Sequence, residues 1–265
     1  MNTQVTATGM KVQAVAEDGL LIINEGDADS VANWKVSTTA TFNSAAQLAP
    51  TSTSDVSSWY HNKSQAANSA ASAQEASTYD TLSGTAKWVR DSSNGAYYFD
   101  TDGGNDKDAG EKYYALLNKF YIKSSGAKIT LGAGNTYEAL YINGLKVTSA
   151  TNSSANLNKS LRVAVKVGSE VFIYAPYYTA DVNYTVAGTT ATTAKAVPTS
   201  FVLNTKTAQE SIPAIETAKG NTVPVEIYIY FEGEDVNCKS ENITAVLDTL
   251  NVEVRFGITE IASYT

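Results

Sequence analysis

The sequence predicts an all-β protein, an antiparallel jelly-roll-like sandwich with one or two short helical excursions. Apolar and polar residues alternate along segments 225–231, 250–258 and 161–167, which places the apolar side chains on one face of each strand. Gly168-Ser169 then predicts a hairpin that joins 161–167 to 171–174. Strands with a single buried face are typical of two packed antiparallel sheets.

An N-terminal strand is predicted over residues 1–16. Gly9 shifts the phase of this strand, because Val5 and Ala7 occupy odd positions whereas Met10 and Val12 occupy even ones. Such a shift predicts a bulge or kink. Asn143-Gly144 predicts a tight turn. The remaining strand candidates are 19–24, 34–42, 129–131, 139–142, 146–148 and 182–197, the last as a strand pair or an exposed loop.

Helix is predicted for a minority of the chain. Residues 109–123 place apolar side chains at spacings of three and four, with Asp108 as a cap. The residues in this pattern are Tyr113, Leu116, Leu117 and Phe120. Residues 55–78 lack a continuous apolar stripe, so we expect an ordered surface excursion there at most. We therefore expect one domain, 1–265, that carries a variable helical or loop insertion over 44–125.

Composition excludes several classes of protein. The chain has 265 residues, 19 Lys+Arg and 27 Asp+Glu, which gives a net charge of −8. The negative charge argues against a nucleic-acid binder and against a protein that docks on anionic lipid, because both need clustered basic residues. No apolar run approaches the roughly 18 residues of a membrane span. The low charged fraction of 17% favours an exported protein, and we expect an extracellular or cell-surface location.

The residues needed for nucleophilic catalysis are scarce. His61 is the only histidine and Cys238 the only cysteine, and a nucleophile requires its base alongside. We interpret His61 as a surface or packing residue and Cys238 as a small, half-buried side chain, and we expect no enzyme activity. Paired carboxylates have no fixed sequence spacing, so an extracellular hydrolase stays a third alternative.

One acidic segment has the spacing of a calcium loop in part. Counted from Asp100, oxygen donors stand at positions 1, 3, 7, 9 and 12, but Gly104 and Asn105 are in the reverse of the usual order. The candidate ligands are Asp100, Asp102, Asp106, Asp108 and Glu111. A solvated acidic turn explains the same residues. No cofactor is expected to be required, and calcium is the one candidate.

Aromatic residues form a second candidate site. The segments are Tyr97-Tyr98-Phe99, Tyr113-Tyr114 and Tyr177-Tyr178, together with Tyr228 and Tyr230 on the predicted outer face of a strand. Exposed aromatic rings stack on sugars or on another subunit, whereas a Tyr ladder on a sheet is more often cross-strand packing. A carbohydrate-binding surface adhesin is therefore the alternative function.

The two ends of the chain resemble a known family. The opening Val5-Thr6-Ala7-Thr8-Gly9-Met10-Lys11-Val12-Gln13-Ala14 and the following Glu17-Asp18-Gly19-Leu20-Leu21-Ile22 are similar to the mature start of exported surface proteins of Firmicutes. The segments 222–235, from Thr222 to Asp235, and 250–256, from Leu250 to Phe256, resemble the C-terminal strand pair of the TasA/camelysin-like family of secreted biofilm-matrix fibre proteins.

The resemblance implies a jelly-roll subunit of an extracellular filament, in which each N-terminal strand completes the sheet of its neighbour. An open sheet edge accepts such a strand, and head-to-tail donation does not close on itself. The donated side chains would be Val5, Ala7, Met10 and Val12, and their groove would lie along the C-terminal strands. The expected partner is a second copy of the chain, with other matrix proteins or glycans as further candidates.

Overall fold

A computed structural model describes most of the strands and their connections. The described residues are 5–8, 10–16, 20–42, 47–62, 79–82, 87–91, 95–100, 112–124, 139–148, 156–197, 210–216, 222–238, 247–248 and 250–257.

The described residues form nineteen strands. In chain order these are β1 Val5–Thr8, β2 Lys11–Ala16, β3 Leu20–Asn24, β4 Ser37–Thr41, β5 Gln47–Leu48, β6 Tyr60–Asn62, β7 Tyr79–Thr81, β8 Lys87–Arg90, β9 Ala96–Asp100, β10 Lys112–Ser124, β11 Ala139–Thr148, β12 Leu161–Val167, β13 Glu170–Ala175, β14 Val182–Val186, β15 Thr190–Ala196, β16 Glu210–Glu216, β17 Val223–Phe231, β18 Leu247–Asp248 and β19 Asn251–Gly257.

Two sheets form a sandwich. The larger sheet has the order β14-β15-β13-β12-β17-β10-β5-β1-β18, and β3 and β9 also pair with β10. The smaller sheet has the order β16-β11-β19-β2-β4. The all-β class is therefore confirmed. Both sheets are mixed rather than antiparallel throughout, because β2 runs parallel to β19 and β1 parallel to β18; the jelly-roll topology stays a prediction.

The main core lies between the two sheets. We call it the first cluster; its side chains come from alternate positions of strands in both sheets. Val163, Ile227 and Phe120 represent the larger sheet, and Val12 and Val254 the smaller one. The alternation that predicted β2, β12, β17 and β19 places Val12, Val163, Ile227 and Val254 in this core.

A second core covers the opposite face of the larger sheet. This second cluster includes Trp59, Phe99, Tyr114, Tyr184 and Tyr230. Ring centroids are 5.3 Å apart for Trp59 and Tyr230, and the neighbouring Trp88 and Phe99 stack at 4.7 Å. The larger sheet is consequently buried on both faces along β10, β12 and β17.

The helix predicted over 109–123 is wrong, because β10 occupies Lys112–Ser124. Tyr113 and Leu116 both face the first cluster, whereas Leu117 faces the second. The alternation therefore shifts phase between Tyr113 and Leu116. A central strand with a phase shift and two buried faces produces spacings of three and four, which imitate an amphipathic helix. Among the described residues the only helical segment is the 3-10 turn Asn156–Ser160.

The tight turn predicted at Asn143-Gly144 is also wrong. Strand β11 runs through both residues, and its register against β19 shifts between Ile142 and Gly144. Glycine often marks a bulge within a strand rather than its end. The two short strands predicted on either side are therefore halves of one.

Several other predictions are confirmed. Strands β12 and β13 form the hairpin, with Gly168 at φ 59° in its turn. Strands β14 and β15 form the pair predicted over 182–197. Of residues 55–78, those up to 62 are described and contain β6, while 63–78 lie outside the described residues, as does the candidate 129–131. Within the described part of the chain, no helix has the length and apolar character that a membrane crossing requires.

Candidate strand-exchange site

Strand β2 fills a slot between β19 and β4. It runs parallel to β19, with Val12 opposite Val252, and antiparallel to β4, with Val12 opposite Ala40. Met10, Val12 and Ala14 alternate with exposed or half-buried residues and are almost fully buried in the first cluster. Two of the four predicted donor residues, Met10 and Val12, therefore lie in the core of the sandwich.

Backbone hydrogen bonds attach β2 on both sides. The Lys11 amide donates to the Leu250 carbonyl at 2.9 Å. On the other side, the Phe42 amide donates to the Met10 carbonyl at 2.9 Å, and the Ala16 amide to the Val36 carbonyl at 2.8 Å. Removal of β2 would leave two unpaired strand edges and an open apolar slot.

The slot is apolar on its inner wall. The wall is formed by Ala40, Phe42, Leu250, Val252, Val254 and Phe256, all buried. One polar side chain approaches it from the larger sheet, since Asn118 Nδ2 lies 3.5 Å from the Val12 carbonyl oxygen. A strand that enters the slot must therefore present small or aliphatic side chains at alternate positions.

The other two predicted donor residues, Val5 and Ala7, lie in β1, which belongs to the larger sheet. Val5 pairs with Leu48 of β5, and Ala7 pairs with Leu247 of β18. The change of sheet falls between Thr8 and Met10, in agreement with the break predicted at Gly9, which itself lies outside the described residues. The N-terminal segment thus contributes one strand to each sheet.

A buried ion pair lies at the start of β12, and the sequence analysis did not predict it. Arg162 Nη2 lies 2.6 Å from Asp235 Oδ2, with both side chains fully buried. Tyr178 OH donates to the same carboxylate at 3.0 Å, and Arg162 Nη1 donates to the Lys159 carbonyl at 2.7 Å. The alternation along 161–167 predicts a polar face that includes Arg162, but the second cluster covers that face. Two features of the sequence could have indicated the pair. Arg162 lies in a strand among aromatic-rich segments, and Asp235 follows shortly after the end of β17.

Two titratable groups beside this pair are shifted by burial. Burial raises the pKa of Glu232 to about 8, and the nearby Arg162 opposes the shift. Cys238 packs against the first cluster as a half-buried residue, as predicted. Burial of its thiol raises the pKa of Cys238 to about 12, so the thiolate that a nucleophile requires is disfavoured.

Most of the aromatic residues proposed as an exposed platform are buried. Tyr98, Phe99, Tyr113, Tyr114, Tyr228 and Tyr230 are all buried, while Tyr97, Tyr177 and Tyr178 are partly so. Tyr228 and Tyr230 do point away from the first cluster, as the alternation predicted, but the second cluster covers that face. Cross-strand packing is thus the observed role of these rings.

The predicted calcium residues fall mainly outside the described part of the chain. Asp100 ends β9, where it pairs with Tyr113 of β10, whereas Asp102, Asp106, Asp108 and Glu111 lie outside the described residues. Among the described residues, no group of three His, Cys, Asp or Glu side chains is placed to hold a metal ion. His61 lies in β6.

Comparison of the chain with family models, with curated proteins and with solved structures finds no match.

Proposed function

We propose that the protein is a structural subunit of an extracellular filament or biofilm matrix, which polymerises by exchange of its N-terminal strand. The observation that carries the proposal is the position of β2, which closes the apolar slot between β4 and β19. The slot faces the first cluster, so whichever chain supplies this strand completes the core.

The exchange conserves every interaction of the strand. A neighbour's residues 10–16 would form the same backbone hydrogen bonds and bury the same side chains as the chain's own β2. Because the native contacts are equal in the two arrangements, protein concentration and the tether that connects β2 to the rest of its own chain decide between them. Each subunit would donate one strand and accept one, and such heterologous contacts extend into a filament.

Negative-stain electron microscopy of the intact chain and of a chain lacking residues 1–16 tests the proposal. We expect filaments from the intact chain alone. A peptide of residues 5–16, added to the truncated chain, should fill the slot and restore a folded, monomeric protein. Filaments from the truncated chain, or uniform monomers from both chains across a wide concentration range, would contradict the proposal.

A further inference from the structure

The outer face of the smaller sheet carries a polar groove of about 410 Å³. It lies on the side opposite the first cluster, since the inward neighbours Val12, Ala14 and Val254 are buried. Its volume is within the range of about 300–1,000 Å³ that is typical of small-ligand sites. Seven side chains with hydrogen-bonding groups line it: Lys11, Gln13, Thr39, Lys146, Thr148, Asn251 and Glu253.

The strand register arranges these side chains in two rows across the sheet. In the first row Lys146 lies opposite Glu253, Glu253 opposite Gln13, and Gln13 opposite Thr39. In the second row Asn251 lies between Thr148 and Lys11. The two lysines consequently stand on opposite sides of β19. Two strand spacings and the two-residue offset between the rows place them roughly 12 Å apart, with amide and hydroxyl groups between them.

The charges of the groove favour an anionic ligand. Lys11 and Lys146 are exposed, and neither forms an ion pair with any residue in the described part of the chain. The one carboxylate in the groove, Glu253, is already held by Arg255 Nε at 2.6 Å. Two ammonium groups therefore have no ion-pair partner among the described residues, while the negative charge of Glu253 is neutralised by Arg255.

The neutral groups favour a ligand with many hydroxyls. Gln13 and Asn251 each offer an amide donor and acceptor, and Thr39 and Thr148 each offer a hydroxyl. A sugar hydroxyl both donates and accepts, so it matches this set, whereas an acidic peptide has few groups that do both. We propose that this groove binds an acidic oligosaccharide, with the carboxylates on Lys11 and Lys146 and the hydroxyls on the residues between them.

The site goes beyond the proposed filament and does not depend on strand exchange. Lys11 and Gln13 occupy the same positions whether β2 comes from the same chain or from a neighbour. Lys146 and Thr148 belong to β11, which contacts β19 and β16 but does not pair with β2. Substitutions in β11 therefore test the site without altering the donated strand.

Isothermal titration of the full chain with oligogalacturonate tests this proposal. Lys146→Glu should weaken binding roughly tenfold, and Lys11→Gln should weaken it by a smaller factor. Lys35→Glu, an exposed lysine outside the groove, should leave the affinity unchanged. Filaments of Lys146→Glu should match those of the parent chain by electron microscopy, which separates this result from any failure of assembly.

Three further probes decide the ligand class. Methyl-esterified oligogalacturonate keeps the hydroxyls and loses the charge, and it should bind much more weakly. Hexaglutamate keeps the charge and lacks the hydroxyls, and it should also bind more weakly. Equal binding of either probe would overturn the proposal, as would an absence of oligogalacturonate binding or an affinity that Lys146→Glu leaves unchanged.

Discussion

Arg162 and Asp235 form a fully buried ion pair, with Nη2 and Oδ2 2.6 Å apart. The pair joins the start of β12 to the connection after β17. Arg162 is also positioned over the rings of Tyr178 and Tyr184, each 5.7 Å from the guanidinium carbon. The guanidinium thus links the connection after β17 to the aromatic second cluster.

Asp235→Asn should lower the free energy of unfolding by about 3–5 kcal/mol, because it removes the carboxylate that is hydrogen-bonded to the buried guanidinium of Arg162. Urea unfolding monitored by circular dichroism measures the change. Glu253→Gln breaks the partly exposed pair with Arg255 and serves as the control, with an expected loss of less than about 1 kcal/mol. Equal losses in the two variants would show that burial of the Arg162 pair has no energetic consequence.

Stability should fall as the pH rises from about 4.5 to about 8, because of Glu232. The folded state holds this proton up to about pH 8, whereas the carboxyl has an ordinary pKa of 4.5 in the unfolded chain. The folded state is therefore favoured by the proton below pH 4.5, and that contribution is lost as the pH approaches 8. Tyr230 and Cys238 have raised pKa values and do not titrate in this window.

Glu232→Gln tests this pH dependence, since the amide keeps the shape of the protonated carboxyl and cannot ionise. Urea midpoints between pH 4 and pH 9 should decline for the parent chain and decline less for the variant. Parallel curves for the two proteins would assign the pH dependence to other groups.

Val12→Ala should destabilise the sandwich by about 1–3 kcal/mol, because Val12 is fully buried between β19 and β4. The adjacent Gln13 points to the outer face of the same strand, and Gln13→Ala should change stability by less than about 0.5 kcal/mol. Thermal unfolding of both variants measures the difference. A larger effect for Gln13→Ala would mean that β2 has the opposite face inward.

Ala187→Gly should stabilise the hairpin of β14 and β15. Ala187 has φ of 50°, a left-handed conformation that costs residues other than glycine about 1 kcal/mol. Ala191→Gly is the matched control, because Ala191 lies exposed within β15, where glycine weakens a strand. Urea unfolding should give a gain for the first variant and a loss for the second; a loss in both would contradict the assignment of strain to Ala187.

Strand positions were predictable wherever one face of the strand was polar. Alternation located β2 and β19, since Lys11 and Gln13 are polar and Val12 is apolar. The same reasoning failed for β10, which is buried on both faces, and whose shift of phase after Tyr113 reproduces helical spacing. Local periodicity in the sequence does not show whether a further layer of side chains packs on the second face of a sheet.

The candidate site was predictable in part. The phase shift at Gly9 predicted a bulge or kink, but it did not indicate that Val5 and Met10 belong to different sheets, where the structure places them. The sequence did not predict that β2 pairs with β4 or that it runs parallel to β19, because both pairings join segments that are distant in sequence. The burial of Arg162 was unpredictable for the same reason, because the tyrosines over it come from Tyr178 and from β14.

A disulfide between β2 and β19 tests strand exchange most directly. Gln13 and Glu253 are register partners on the outer face, and neighbouring strands lie about 4.8 Å apart, within the range of about 4.4–6.8 Å for disulfide-bonded Cα atoms. The chain would carry Gln13→Cys and Glu253→Cys, with Cys238→Ala to remove the natural thiol. As the control, Lys146→Cys with Glu253→Cys joins β11 to β19 within one chain.

After oxidation under assembly conditions, denaturing electrophoresis without reductant separates the two outcomes. If β2 is donated to a neighbour, the first pair yields a ladder of covalent multimers while the control pair yields monomers. If β2 stays in its own chain, both pairs yield cross-linked monomers, and that result would contradict donor-strand polymerisation.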